Sequence, residues 1–253
     1  MASIIAVANQ KGGVGKTTTT ANLGTGLARR GFRVLLVDLD PQANLTAVFG
    51  LERGLAESIG TCLMSREADV PILRIEDVAG VTVDVVPSSL DVAAVESALV
   101  NKLGRELRLR EQLGRVQSQY DYILIDTPPS LGLLTINAMV AANWVVIPTE
   151  ARFFSMQGLD MLKESINEVL YMNPNLKILG IVVSKYDRRL REEATVNEFL
   201  RSTWGENVFA TEVPTNSKIL EASSAGVSIF AYRGTKKAVQ IYENLVEEVV
   251  ARA

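Results

Sequence analysis

The chain has 253 residues, 47% of them hydrophobic and 22% charged, and a formal net charge of −3. These values support a sizeable core in one domain spanning residues 1–253, and they exclude a polycation, so any nucleic-acid contact must come from a local basic patch. One cysteine, Cys62, and no histidine exclude an intrachain disulfide, a multi-cysteine metal site within one chain and histidine as base or ligand.

Short β-branched runs alternate with longer helical stretches. Strands are predicted over Ile4–Val7, Val34–Val37, Val81–Val86, Tyr122–Ile125, Val145–Ile147 and Ile178–Val183. Most are apolar without alternation, the pattern of parallel strands buried on both faces. Helices are predicted over Lys16–Arg30, Arg105–Gln117, Leu131–Ala142, Gln157–Tyr171, Glu192–Thr203 and Thr235–Ala251. The fold class that follows is α/β, a mostly parallel twisted sheet flanked by helices. Ala43–Gly80 is the least regular stretch and receives no assignment. The N-terminal sequence lacks the basic start of a secretory signal, and no run approaches the roughly 18 apolar residues of a membrane span, so a cytoplasmic location is expected.

After the first strand comes Gln10-Lys11-Gly12-Gly13-Val14-Gly15-Lys16-Thr17-Thr18. A glycine-rich turn between a strand and a helix lets successive backbone N–H groups close around phosphates, helped by the positive helix end. Lys16 is expected at the β- and γ-phosphates and Thr17 on Mg²⁺. The standard G-x-x-x-x-G-K-[ST] pattern fails at Gln10, and the variant K-G-G-x-G-K-T adds Lys11. By residue type alone, Lys11 reads as a solvated surface lysine.

Two carboxylate motifs end strands. Asp126 closes Tyr122-Ile-Leu-Ile-Asp and precedes Thr127-Pro128-Pro129, the Walker B arrangement that holds Mg²⁺. Asp38-Leu39-Asp40-Pro41 closes the second strand, at the ligand edge of an open α/β sheet. Asp38 joins Thr17 and Asp126 in the expected metal set. For Asp40, position is equally compatible with orienting a hydrolytic water and with capping the turn before Pro41.

Together, Lys11–Thr18, Asp38–Asn44 and Asp126–Ser130 closely resemble the ParA/MinD family of deviant-Walker P-loop ATPases, most of all its small ParA (Soj) branch, and the resemblance spans nearly the whole chain. It implies an ATPase using ATP and Mg²⁺, with two ATP-bound subunits forming a homodimer face to face. Lys11, Lys16 and Asp40 would be catalytic, Lys11 reaching the partner's phosphates and Asp40 positioning the water. Gly12, Gly13, Val14, Gly15, Thr17 and Thr18 would complete the phosphate cradle, with Pro214 and Asn216 near the adenine. The dimer would bind non-specific DNA through Arg188, Arg189 and Lys218, giving a nucleoid-associated protein. A ParB-like or cargo-adaptor partner would stimulate its weak hydrolysis, and the output would be positioning of a plasmid or chromosome.

Other readings differ in specific residues. The nitrogenase-iron-protein branch needs two cluster cysteines per subunit, and only Cys62 is present. MinD ends in a basic membrane helix, whereas here Glu243, Glu247 and Glu248 oppose an apolar face of Val239, Tyr242, Val246 and Val249. An acidic face is repelled by anionic lipid, so that helix is expected to pack on the domain. Ser184-Lys185-Tyr186-Asp187 is one residue from the N-K-x-D guanine motif; it reads as a strand end but keeps a GTPase as an alternative. Positioning of a protein cargo and a metabolic P-loop enzyme of the dethiobiotin-synthetase kind are the further alternatives.

Overall fold

A computed structural model describes residues 1–52, 55, 57–76 and 80–253, with all their side chains except those of residues 154 and 156. The described strands are β1 (Ser3–Val7), β2 (Val34–Asp38), β3 (Leu73–Glu76), β4 (Thr82–Val86), β5 (Tyr122–Asp126), β6 (Trp144–Glu150), β7 (Lys177–Tyr186) and β8 (Val213–Pro214). They form one sheet in the order β3-β4-β2-β5-β1-β6-β7-β8. Only the β3–β4 pair is antiparallel.

The described α-helices are α1 (Lys16–Arg29), α2 (Asn44–Val48), α3 (Ile59–Met64), α4 (Val92–Leu99), α5 (Arg108–Val116), α6 (Leu133–Ala141), α7 (Phe153–Val169), α8 (Arg191–Trp204), α9 (Ser217–Ser224) and α10 (Lys236–Arg252). In the central strands β2 and β5 every residue is buried. Successive side chains enter opposite cores: Leu35, Val37, Ile123 and Ile125 pack on one side, and Leu36 and Leu124 on the other. This explains the uninterrupted apolar runs, because a sheet covered on both faces has no polar face to alternate with. Edge strand β3 differs. Leu73 and Ile75 are half-buried while Arg74 and Glu76 are exposed, the period-two pattern of an edge with one wet face.

The predicted strands and helices all appear, with ends shifted by a few residues. Arg105–Leu107 forms a 3-10 turn ahead of α5, and α7 starts at Phe153, four residues before the predicted helix. Sequence periodicity missed α2, α3, α4, α9, β3 and β8, each of eight residues or fewer, too short to establish a period. Within the unassigned stretch Ala43–Gly80, the structure places α2, α3 and β3; residues 53, 54, 56 and 77–79 lie outside the described residues. Cys62 is fully buried, and burial pushes its thiol up to about 11, so it behaves as a small apolar side chain.

As expected, the last helix packs on the sheet layer. Tyr242, Leu245, Val246 and Val249 of α10 are buried against α1. The approach is close at Gly26, where a Cβ would stand 2.6 Å from a Val246 methyl. Among the described residues, no helix is long and apolar enough to cross a membrane.

Candidate nucleotide site

Strand β1 lies between β5 and β6, and the chain crosses from one side of β1 to the other between those two strands. Such a reversal opens a crevice at the carboxyl ends of parallel strands. The loop Asn9–Gly15 leaves β1 into that crevice. Gly13 and Gly15 have φ of +76° and +90°, a left-handed conformation that side chains rarely adopt. Gly15 occupies the N-cap of α1 with no side-chain cap, and the first turn of the helix holds no acidic residue. The first N–H groups of α1 therefore point into the crevice without a local acceptor, which suits an anionic ligand.

Lys16 is buried, and its Nζ donates to the Lys11 carbonyl at 3.2 Å. Burial lowers its pKa, while Asp126 and Asp40 pull it back toward the charged form. The Thr17 hydroxyl donates to Asp126 Oδ2 at 2.7 Å. These two oxygens converge beside the loop, as the two protein ligands of a Mg²⁺ ion do. Asp38 and Asp126 are register neighbours on β2 and β5, and both are fully buried. Burial raises the pKa of each carboxyl, and their mutual repulsion raises it further for Asp126.

The expected metal set thus divides. Asp38 spends its oxygens on the loop that follows it: Oδ1 accepts from the Asp40 amide at 3.1 Å, and Oδ2 accepts from the Thr46 amide and hydroxyl at 2.8 and 2.7 Å. The Thr46 hydroxyl also accepts from the Ser88 amide at 2.9 Å, tying α2 to the end of β4. Three protein donors thus tie Asp38 to its loop, whereas Asp126 takes two, from Thr17 and, at 3.3 Å, from the Thr20 hydroxyl. Asp40 is buried, and its Oδ1 accepts from the Gln42 amide at 2.9 Å. Of the two roles left open by its position, turn capping is visible, and Asp40 also lies near enough to Lys16 to act on its charge.

Lys11 is not the solvated lysine that its residue type suggests. Its Nζ is 2.9 Å from Glu150 Oε2, at the end of β6, and 3.5 Å from the Ser155 hydroxyl. Glu150 escaped the sequence reading, although a carboxylate at the end of an apolar strand is the same signal that singled out Asp38 and Asp126. Thr46 carried no such signal; only its place over Asp38 gives it meaning.

Beside the phosphate loop lies a cavity of about 310 Å³. Pro214 and Asn216 line it, with Val213, Ile219, Leu220 and Tyr242 supplying apolar wall. Asn216 also caps α9 by accepting from the Lys218 amide at 2.8 Å. Ser184 and Lys185, from the near-guanine segment, line the same cavity. Its aspartate does not, and both Asp187 oxygens accept from the Arg189 guanidinium at 2.6–3.2 Å. The expected DNA-contact cations are all ion-paired: Arg188 with Glu212, Arg189 with Asp187 and Lys218 with Glu221. Arg233, Lys236 and Lys237, around the start of α10, are exposed and form no ion pair among the described residues.

A strand, a glycine loop with a buried lysine, and a threonine–aspartate pair define a P-loop nucleoside triphosphatase. A family model described as an AAA domain matches residues 2–178. Over 253 residues the chain is 40% identical to the sporulation initiation inhibitor protein Soj of Bacillus subtilis, covering 99% of each protein. It is 39% identical to the chromosome partitioning protein ParA of Caulobacter vibrioides, covering 98% of this chain and 94% of that one. A putative plasmid partition protein from Borrelia burgdorferi, solved with AMPPNP, superimposes with a TM-score of 0.85 at 25% identity, and each chain is covered completely. Cobyrinic acid a,c-diamide synthase from Mycobacterium smegmatis, solved with ADP and magnesium, gives 0.79 at 34% identity over 89% of this chain and 93% of that one. The chain belongs to the ParA/Soj family of partition ATPases.

Proposed function

We propose that residues 1–253 form one Mg-ATP-dependent switch domain that dimerises on ATP and, as a dimer, binds duplex DNA without sequence preference. The observation that carries this reading is the convergence of Thr17 and Asp126, 2.7 Å apart, beneath a loop bearing two lysines, Lys11 and Lys16. Backbone amides of Gly12–Thr18 bind the phosphates, and Lys16 answers the β- and γ-phosphate charge. Thr17 and Asp126 would hold Mg²⁺, which when bound neutralises charge on those phosphates. Asp38 fixes the loop that carries Asp40, and Asp40 orients the hydrolytic water. Lys11 acts across the dimer. ATP is preferred over GTP, because Asp187 does not line the cavity beside the phosphate loop.

Phosphate contacts need only positive charge, so DNA contact draws on Arg188, Arg189 and Lys218 leaving their carboxylates, and on the unpaired Arg233, Lys236 and Lys237. The setting is cytoplasmic and nucleoid-associated, and a ParB-like or cargo-adaptor partner stimulates hydrolysis to release the dimer. Support for plasmid or chromosome cargo comes from the likeness to Soj and ParA over the whole chain.

The test measures ATP hydrolysis with and without non-specific duplex DNA, and light scattering with ATP for wild type and Lys11→Ala. Expected are DNA-responsive turnover, ATP-dependent dimers in wild type and none in Lys11→Ala. Turnover that depends on a small acid and ignores DNA refutes the switch and favours a metabolic enzyme.

A further inference from the structure

Lys11 is held at both ends by the carboxyl end of β6. Its amide donates to Asn9 Oδ1 at 2.9 Å, and the Asn9 amide nitrogen donates to the Pro148 carbonyl at 2.7 Å. Its ammonium sits on Glu150, whose side chain is only 11% exposed. A lysine drawn this way into its own chain must leave the carboxylate before it can reach phosphates bound by another subunit. Two more cations surround the same carboxylate: Arg152 Nε at 3.7 Å and Lys185 Nζ at 3.8 Å. When Lys11 leaves, Glu150 is therefore not stranded as a bare buried charge, which is the usual penalty for breaking such a pair. Arg152 and Lys185 also line the cavity beside the phosphate loop, so the groups that take over Glu150 lie where a nucleotide makes its contacts.

We infer that Glu150 is a positioning residue that holds Lys11 in its own subunit and opposes dimerisation until the lysine is handed across. This rests on the reading of Lys11 as a lysine acting in trans. The Lys11 side chain is 38% exposed, so the pair belongs with the weaker, solvent-screened ones. Breaking such a pair shifts an equilibrium by about three-fold. A symmetric dimer breaks two pairs, so the dimer dissociation constant shifts by about ten-fold.

The experiment measures that constant by sedimentation with a non-hydrolysable ATP analogue and Mg²⁺. Wild type is compared with Glu150→Gln, Glu150→Asp, Lys11→Ala and the double variant Lys11→Ala/Glu150→Gln. Glu150→Gln removes the charge without changing shape and should dimerise about ten-fold more tightly. Glu150→Asp, which withdraws the carboxylate by one methylene, should fall between it and wild type. Neither gain should appear with ADP, and the double variant should stay monomeric like Lys11→Ala. A role in folding alone would weaken dimers in both Glu150 variants. Equal or weaker dimers in both, with wild type dimerising and Lys11→Ala failing to, overturn the latch and leave the trans lysine standing. Dimers in Lys11→Ala, or none in wild type, overturn the reading beneath it.

Discussion

Asp126→Asn should make the protein more stable and less active. Asp38 and Asp126 are paired across neighbouring strands and fully buried. Parallel strands lie about 4.8 Å apart, so two carboxylates some 5 Å from each other repel by about 3 kcal/mol at an effective dielectric of about 20. Lys16 offsets part of this, which leaves a gain of roughly 2 kcal/mol on removing one charge. For a chain of this length that is about 4–8 °C in melting temperature. Asparagine keeps an oxygen to accept from Thr17, and its amide would face the Thr20 hydroxyl, whose proton the Lys16 carbonyl at 3.0 Å can take, so little is lost in exchange. The folded-state pKa values are raised, so the repulsion is present above them and is relieved as pH falls through them toward the ordinary aspartate value. The gain should therefore be larger at pH 8.5 than at pH 5.5. Thermal melts of both proteins in Mg²⁺-free buffer at the two pH values measure it. Hydrolysis with Mg-ATP should fall by roughly 100-fold or more, because the proposed metal site loses its carboxylate. An Asp126→Asn protein that melts at or below wild type at pH 8.5 refutes the argument.

Four further outcomes follow from the same geometry. Lys16→Ala removes the buried cation at the phosphates, so ATP affinity by fluorescent-nucleotide titration should collapse; wild-type affinity would contradict its assignment. Asp40→Ala should bind ATP and dimerise but hydrolyse too slowly to follow, giving a dimer trapped by sedimentation, and wild-type turnover would leave Asp40 as a turn cap alone. Thr46→Val removes the hydroxyl that serves Asp38 and the Ser88 amide, costing about 2–4 kcal/mol in urea unfolding, and a loss below 1 kcal/mol would show that the clamp is weak. Arg189→Glu with Lys218→Glu should abolish ATP-dependent DNA binding in filter assays while ATP-driven dimers persist. Undiminished affinity in that variant, with loss in Arg233→Glu/Lys236→Glu/Lys237→Glu, would place the contact on the unpaired cluster instead.

The nucleotide crevice was legible in the sequence because its parts are local. A glycine loop and its lysine are consecutive, and an apolar strand ending in aspartate announces itself within five residues. The parallel sheet was legible for a similar reason, since β2 and β5 are apolar throughout. What lay beyond the sequence were pairings between residues far apart in the chain. Lys11 and Glu150 stand 139 positions apart and meet only because β1 and β6 are neighbours. Asp38 resembles Asp126 as a strand-end carboxylate, and only the return of Thr46 over the one and the placing of Thr17 and Thr20 on the other tell them apart. Arg188, Arg189 and Lys218 are expected at DNA from the resemblance, and each is paired with a carboxylate of its own chain. Local conformational preference is written in neighbouring residues, but the partner of a charge is decided by strand order, which exists only once the sheet has formed.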